Sequence, residues 1–202
     1  MTADSTQTLQ IGMIGHPALL RQTMMQLAPL QTQWNHTATI QISALPGYHP
    51  MQIALVDGLL ITGWHYPSLY RRVYPLQQSI LLRREALSLW GIASGAALMS
   101  KDSLLPVLDC SVISRPQNQI STSILELPGC SEKRFIGYFI PEIVFSAPAP
   151  NLGVLCQNQT RGIIAIRQGN HLASGFAAEL TPGCYLYQYW LEMVASLKEW
   201  TI

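Results

Sequence analysis

Charge is scarce in this chain. Asp, Glu, Lys and Arg make up 11% of 202 residues, and the net charge is +1. No basic block stands out, which argues against a nucleic-acid or anionic-membrane partner. Long apolar runs are also missing: no stretch approaches the roughly 20 residues of a membrane span. The start, Met1 to Thr8, is polar with one acid, Asp4. It lacks the charged-then-apolar order of a signal peptide and is expected to be flexible. Cysteine is sparse and scattered. Cys110, Cys130, Cys156 and Cys184 form no CxxC pair, so they read as free thiols of a cytoplasmic protein, not a disulfide frame or zinc site. His16, His36, His49 and His171 show no metal-ligand spacing and read as surface or loop residues. Nothing implies a metal or a cofactor, and there is no internal repeat or low-complexity segment.

Apolar residues, by contrast, reach 49%. That excludes a disordered chain and implies a large core or a partner-covered face. The length suits a single domain, residues 1–202. Leu9 to Ile14 reads as a first strand, and Pro17 to Leu27 as a helix with proline near its start. Strands are expected at 37–45, 56–61 and 89–93, with a helix over Pro75 to Ser88 and another starting at Ser94. This alternation predicts an α/β fold of three layers around a largely parallel sheet. The second half is richer in strands, at 108–113, 121–127, 134–140, 153–156, 162–167 and 171–176. They predict an antiparallel extension, giving a mixed sheet. Gly169-Asn170 is a two-residue hairpin signal. Ala147 to Pro150 reads as a stiff loop, and Tyr185 to Trp200 as a closing helix. Trp34, Trp90, Trp190 and Trp200 read as core or interface anchors. Arg161, Arg167 and Gln168 read as hairpin framework.

Ligands of open parallel sheets bind beyond the carboxyl ends of strands. Thr62 to Tyr66, Ala93 to Gly95 and Ala177 to Glu179 should meet there. These segments, with "IGMIG" at Ile11, "DGLLITG" at Asp57, "GIASGAALMS" at Gly91, "RGIIAIRQG" at Arg161, "ELT" at Glu179 and "YQYWLEMV" at Tyr187, resemble the class I glutamine amidotransferases. Among these the likeness is to the glutaminase subunits of pyridoxal 5′-phosphate synthase, and it covers nearly the whole chain. The resemblance implies a flavodoxin-like fold and a Cys-His-Glu triad that releases ammonia from glutamine. It also implies docking on a barrel-shaped synthase, so a synthase-like subunit is the expected protein partner.

The same resemblance shows what is missing. The family's nucleophile, in a G-T-C-A-G motif, falls on Ala93; its histidine, in H-P-E, falls on Ala177; only Glu179 keeps its triad position. Methyl groups neither attack a carbonyl nor carry a proton. The family's P-G-G-E-S loop reads Thr62-Gly63-Trp64-His65-Tyr66 here, so Trp64 replaces a glycine of the oxyanion hole, and His65 and Tyr66 replace glutamine-holding residues. Two substrate-facing arginines fall near Gln119 and on Pro141. The former glutamine pocket is thus assigned to Gly63, Trp64, His65, Tyr66 and Ser94, with at least one of Trp64, His65 and Tyr66 turned inward. Ser94 reads as a helix-start residue, His65 as packing beside Trp64 and Tyr66, and Glu179 as a hydrogen-bonded relic. Three functions stay open: a pseudo-glutaminase that binds or regulates a protein, a rewired hydrolase using His65, Ser94 and Glu179, and a small-molecule sensor using the remodelled pocket.

Overall fold

The computed structural model describes residues 8–34, 39–45, 49–115, 119–126, 134–140, 142–146, 149–181, 183 and 185–199. The expectations for His36, Cys130, Pro141, Cys184, Trp200 and residues 1–7 lie outside these.

Strand β1 (Thr8–Gly15) is followed by α1 (Pro17–Trp34), β2 (Thr39–Ala44) and the short α2 (Pro50–Ile53). Then come β3 (Gly58–Gly63), α3 (Tyr66–Val73), a single 3₁₀ turn, α4 (Gln77–Leu82), β4 (Ser88–Ala93) and α5 (Ser94–Leu98). The second half supplies β5 (Val112–Arg115), β6 (Ser121–Glu126), β7 (Arg134–Phe139), β8 (Glu142–Phe145), β9 (Gly153–Asn158), β10 (Gly162–Gln168) and β11 (His171–Ser174). Helix α6 (Tyr185–Ser196) closes the described chain.

The main sheet runs β2-β1-β3-β4-β11-β10-β8-β5, with β9 also on β10. Its first five strands are parallel and the rest antiparallel, as expected of a mixed α/β sheet. β6 and β7 form a separate antiparallel pair. The period of two along each strand divides the core. Leu9, Ile11, Met13, Leu60, Trp90 and Ile92 face α1 and α6, where Leu27, Trp34 and Trp190 pack. Ile14, Leu59, Ile61 and Leu89 face the other way, against Leu69, Val73, Ile80 and Leu98 of α3, α4 and α5. Two helical layers with a sheet between them give the three-layer fold. No helix among the described residues is long and apolar enough to cross a membrane.

Several boundaries differ from the sequence reading. The helix expected over Pro75 to Ser88 stops at Leu82, and Ser88 already belongs to β4. Arg83 is the C-cap, its backbone N–H still on the Ile80 carbonyl, while its side chain caps another segment, donating through Nη1 to the carbonyls of Ile53 and Val56. The strand expected at Leu108 begins at Val112; Leu108 makes only an isolated bridge to Ser100. Helix α3 and strand β8 had no sequence assignment. Thr8, read as part of a flexible start, pairs with Thr39. His171 is not a surface residue: it is buried, and burial pushes its imidazole down to about 4. The hairpin at Gly169-Asn170 forms as expected, with Gln168 opposite His171 and Gly169 at φ +55°.

Candidate functional site

β3, β4 and β11 lie side by side and parallel, so their carboxyl ends open at one edge of the sheet. Gly63 stands opposite Ala93, and Ser174 opposite Ile92. The chain then runs from β11 through Gly175 and Phe176 to Ala177 and a 3₁₀ turn, Ala178–Leu180. The three segments expected to meet do so.

At the end of β4 the backbone makes a sharp corner. Ala93 sits at φ 51°, ψ −116°, a positive-φ region that costs a side-chain-bearing residue about 1–3 kcal/mol. Helix α5 starts at the next residue and is pressed against the sheet. A Cβ on Gly95 would lie 2.0 Å from the carbonyl oxygen of Ile61, so only glycine permits this approach. The turn therefore has the strained strand-to-helix form that presents a nucleophile, yet the side chain presented is a buried methyl. Cys110 and Cys156 offer no replacement. Both are buried outside the turn, and desolvation pushes each thiol up to about 11.

Glu179 is fully buried beneath the β3 end. Its Oε1 accepts two hydrogen bonds, from Trp64 Nε1 at 2.9 Å and Thr62 Oγ1 at 3.2 Å. Its Oε2 has no partner among the described residues. Burial raises the carboxyl above its ordinary range; the proximity of its own backbone N–H and the hydrogen bonds from Trp64 and Thr62 oppose the rise. Ala177 uses only its backbone, donating to the Tyr138 carbonyl at 2.7 Å and accepting from Thr181 Oγ1 at 3.2 Å. Of the three loop side chains, Trp64 sends its polar edge inward while its ring stays about one-third exposed (36%).

The five residues assigned to one former pocket are divided. Gly63, Trp64 and His65 line a cleft of about 390 Å³ with His16, Leu19 and Arg72. Tyr66 and Ser94 line a second cleft of about 310 Å³ with several serines and Asp102. His65 Nδ1 shares a 2.7 Å hydrogen bond with Ser68, and the Tyr66 hydroxyl one of 2.9 Å with Ser103. Gln119, the position matched to a substrate arginine, is exposed and belongs to no strand. No group of three His, Cys, Asp or Glu among the described residues could hold a metal ion. Sequence reasoning missed Thr62 as a Glu179 partner and Arg72 as a cleft residue. Thr62 directly follows the apolar run Leu59 to Ile61 in β3, which was a usable signal; Arg72 was hidden with the unassigned helix.

A "Pyridoxal 5'-phosphate synthase subunit PdxT" of Anoxybacillus flavithermus is 30% identical over 166 residues, covering 73% of this chain and 82% of the relative. This chain belongs to the PdxT family. The PdxT of Ruminiclostridium cellulolyticum is 28% identical over 178 residues, covering 76% and 90%. A solved glutamine amidotransferase superposes with a TM-score of 0.73 at 24% identity, covering 92% of this chain and 98% of its own. That likeness supports the class I glutamine amidotransferase fold. No family model matches the chain.

Proposed function

We propose that this PdxT-family chain is a non-hydrolysing glutaminase homologue that acts by binding protein, as a regulatory or docking subunit of a pyridoxal phosphate synthase-like partner. One observation carries the reading. A triad glutamate of this family orients a catalytic imidazole; here Glu179 accepts its ring N–H from the indole of Trp64 instead. The indole holds the carboxylate in place but has no second nitrogen with which to take a thiol proton. The strained corner remains without a nucleophile, and loss of triad members costs several orders of magnitude in rate. The rewired-hydrolase reading receives no support from the hydrogen bonds: His65 is bonded to Ser68, and Glu179 to Thr62 and Trp64. The names of the relatives motivate the partner. A cytoplasmic setting, expected from the scattered thiols, belongs to the same reading.

The test has two parts. Glutamine and purified protein should yield no ammonia above the protein-free rate, and Ala93→Cys with Ala177→His should not restore turnover while Trp64 holds Glu179. Glutaminase activity in the unmodified chain, lost in Glu179→Gln, would reject the reading. Mixed with a synthase subunit from the same genome, the chain should co-elute in size-exclusion chromatography; separate elution at micromolar concentration would reject the docking role.

A further inference from the structure

We propose that the cleft between the starts of α1 and α3 is a binding site for a small molecule with one planar ring and one anionic group. The topology supplies the first reason. The chain goes from β1 outward to β2, then returns to the other side of β1 for β3. The carboxyl ends of β1 and β3 therefore form the reversal point of the strand order, where open α/β sheets hold ligands. The cleft lies there, lined by His16, Ala18 and Leu19 after β1 and by Thr62, Gly63, Trp64 and His65 around the end of β3. The vacant nucleophile corner, one strand further along at β4, is not in its lining. The proposal consequently does not rest on the loss of glutaminase chemistry.

The lining chemistry selects the ligand. Arg72 supplies a permanent cation, His16 and His65 supply imidazoles, and Ser68 supplies a hydroxyl. No carboxylate is among the described lining residues, so their chemistry favours an anion. Helices α1 and α3 both begin at this cleft, and their positive ends add to that preference. The floor is apolar, with buried Leu19 and Leu69. Trp64 adds a partly exposed indole whose ring is pinned through Nε1 to Glu179. A ring held at its polar edge is a ready stacking platform. A volume of about 390 Å³ sits near the lower end of small-molecule sites, room for one ring and one head group.

The full chain, labelled with ¹⁵N, would be titrated with benzoate, phenyl phosphate, benzyl alcohol and inorganic phosphate. The indole N–H resonance of Trp64, assigned by its loss in Trp64→Phe, reports binding, and calorimetry gives affinities. Benzoate or phenyl phosphate should shift that resonance saturably, and the better of the two identifies the head group as carboxylate or phosphate. Benzyl alcohol should bind on the order of tenfold more weakly, and Arg72→Gln should weaken the aromatic anions by about tenfold while leaving benzyl alcohol unchanged. No saturable shift with either anion, or equal affinity for benzoate and benzyl alcohol, would overturn the proposal. Inorganic phosphate binding as tightly as phenyl phosphate would remove the ring from it. The comparison of charged and neutral ligands on the unmodified chain decides the matter even where Arg72→Gln fails to fold.

Discussion

Replacing Glu179 by glutamine isolates a buried charge. The carboxyl is fully buried, one oxygen accepts two hydrogen bonds and the other has no partner among the described residues. Desolvation raises its pKa above the ordinary value of 4.5. A raised carboxyl is protonated in the folded state while already ionised in the unfolded one. Its contribution is therefore greatest below 4.5 and falls as pH rises from 4.5 to the folded value, then levels off. Within that window the slope is about 1.4 kcal/mol per pH unit. The amide introduced by Glu179→Gln would keep an oxygen for Thr62 and Trp64 and carry no proton to lose. Stability of Glu179→Gln minus that of the native chain should thus increase with pH from about 4.5 upward. Urea denaturation of both proteins at half-unit steps from about pH 4.5 to 8 would measure it. His171 titrates over part of this range but is common to both proteins and cancels in the difference. Trp64→Phe removes the shorter hydrogen bond to the carboxylate. It should cost about 1–2 kcal/mol on the alkaline side of the carboxyl's folded titration, where the indole donates to charge, and less on the acid side. A difference between native and Glu179→Gln that is flat, or that falls with pH, would refute the account of Glu179 as a destabilised buried acid.

Two other perturbations probe the scaffold. His171 is buried neutral at the start of β11, its folded value about 4 against 6.5 unperturbed. The native chain should therefore lose up to about 3 kcal/mol relative to His171→Gln as pH falls from 6.5 towards 4, because the unfolded chain takes up the proton first; parallel pH profiles would contradict this. Gly95→Ala places a methyl 2.0 Å from the Ile61 carbonyl oxygen. It should lower stability by about 3 kcal/mol or more, read by thermal denaturation, since backbone faces backbone and no side chain can yield; a loss under about 1 kcal/mol would mean that α5 can lift from β3 freely.

The order of the elements and the vacancy at the site were legible in the sequence. Apolar runs such as Leu9 to Ile14 and Leu89 to Ala93 are buried on both faces wherever helices cover a parallel sheet, so their composition alone marks them as strands. Gly169-Asn170 specified its turn because few residues accept that backbone geometry. Ala93 and Ala177 marked the missing nucleophile and base only through the resemblance to the family's G-T-C-A-G and H-P-E motifs; chemistry then says that a methyl group can replace neither. Helix α3 was not legible. Its exposed face carries Tyr66 and Tyr70, with Tyr74 just beyond its end, and its start is masked by the loop chemistry before it. Strand β8 is only four residues long, too short for a period to show. The division of the old pocket also required tertiary structure. Tyr66 follows His65 directly, yet the two side chains line different clefts, because α3 begins between them and a helical turn sends neighbours in different directions. Trp64 reaches Glu179, 115 residues away, only because β4 carries β3 and β11 on its two sides. That adjacency lies in the strand order, which no local pattern encodes.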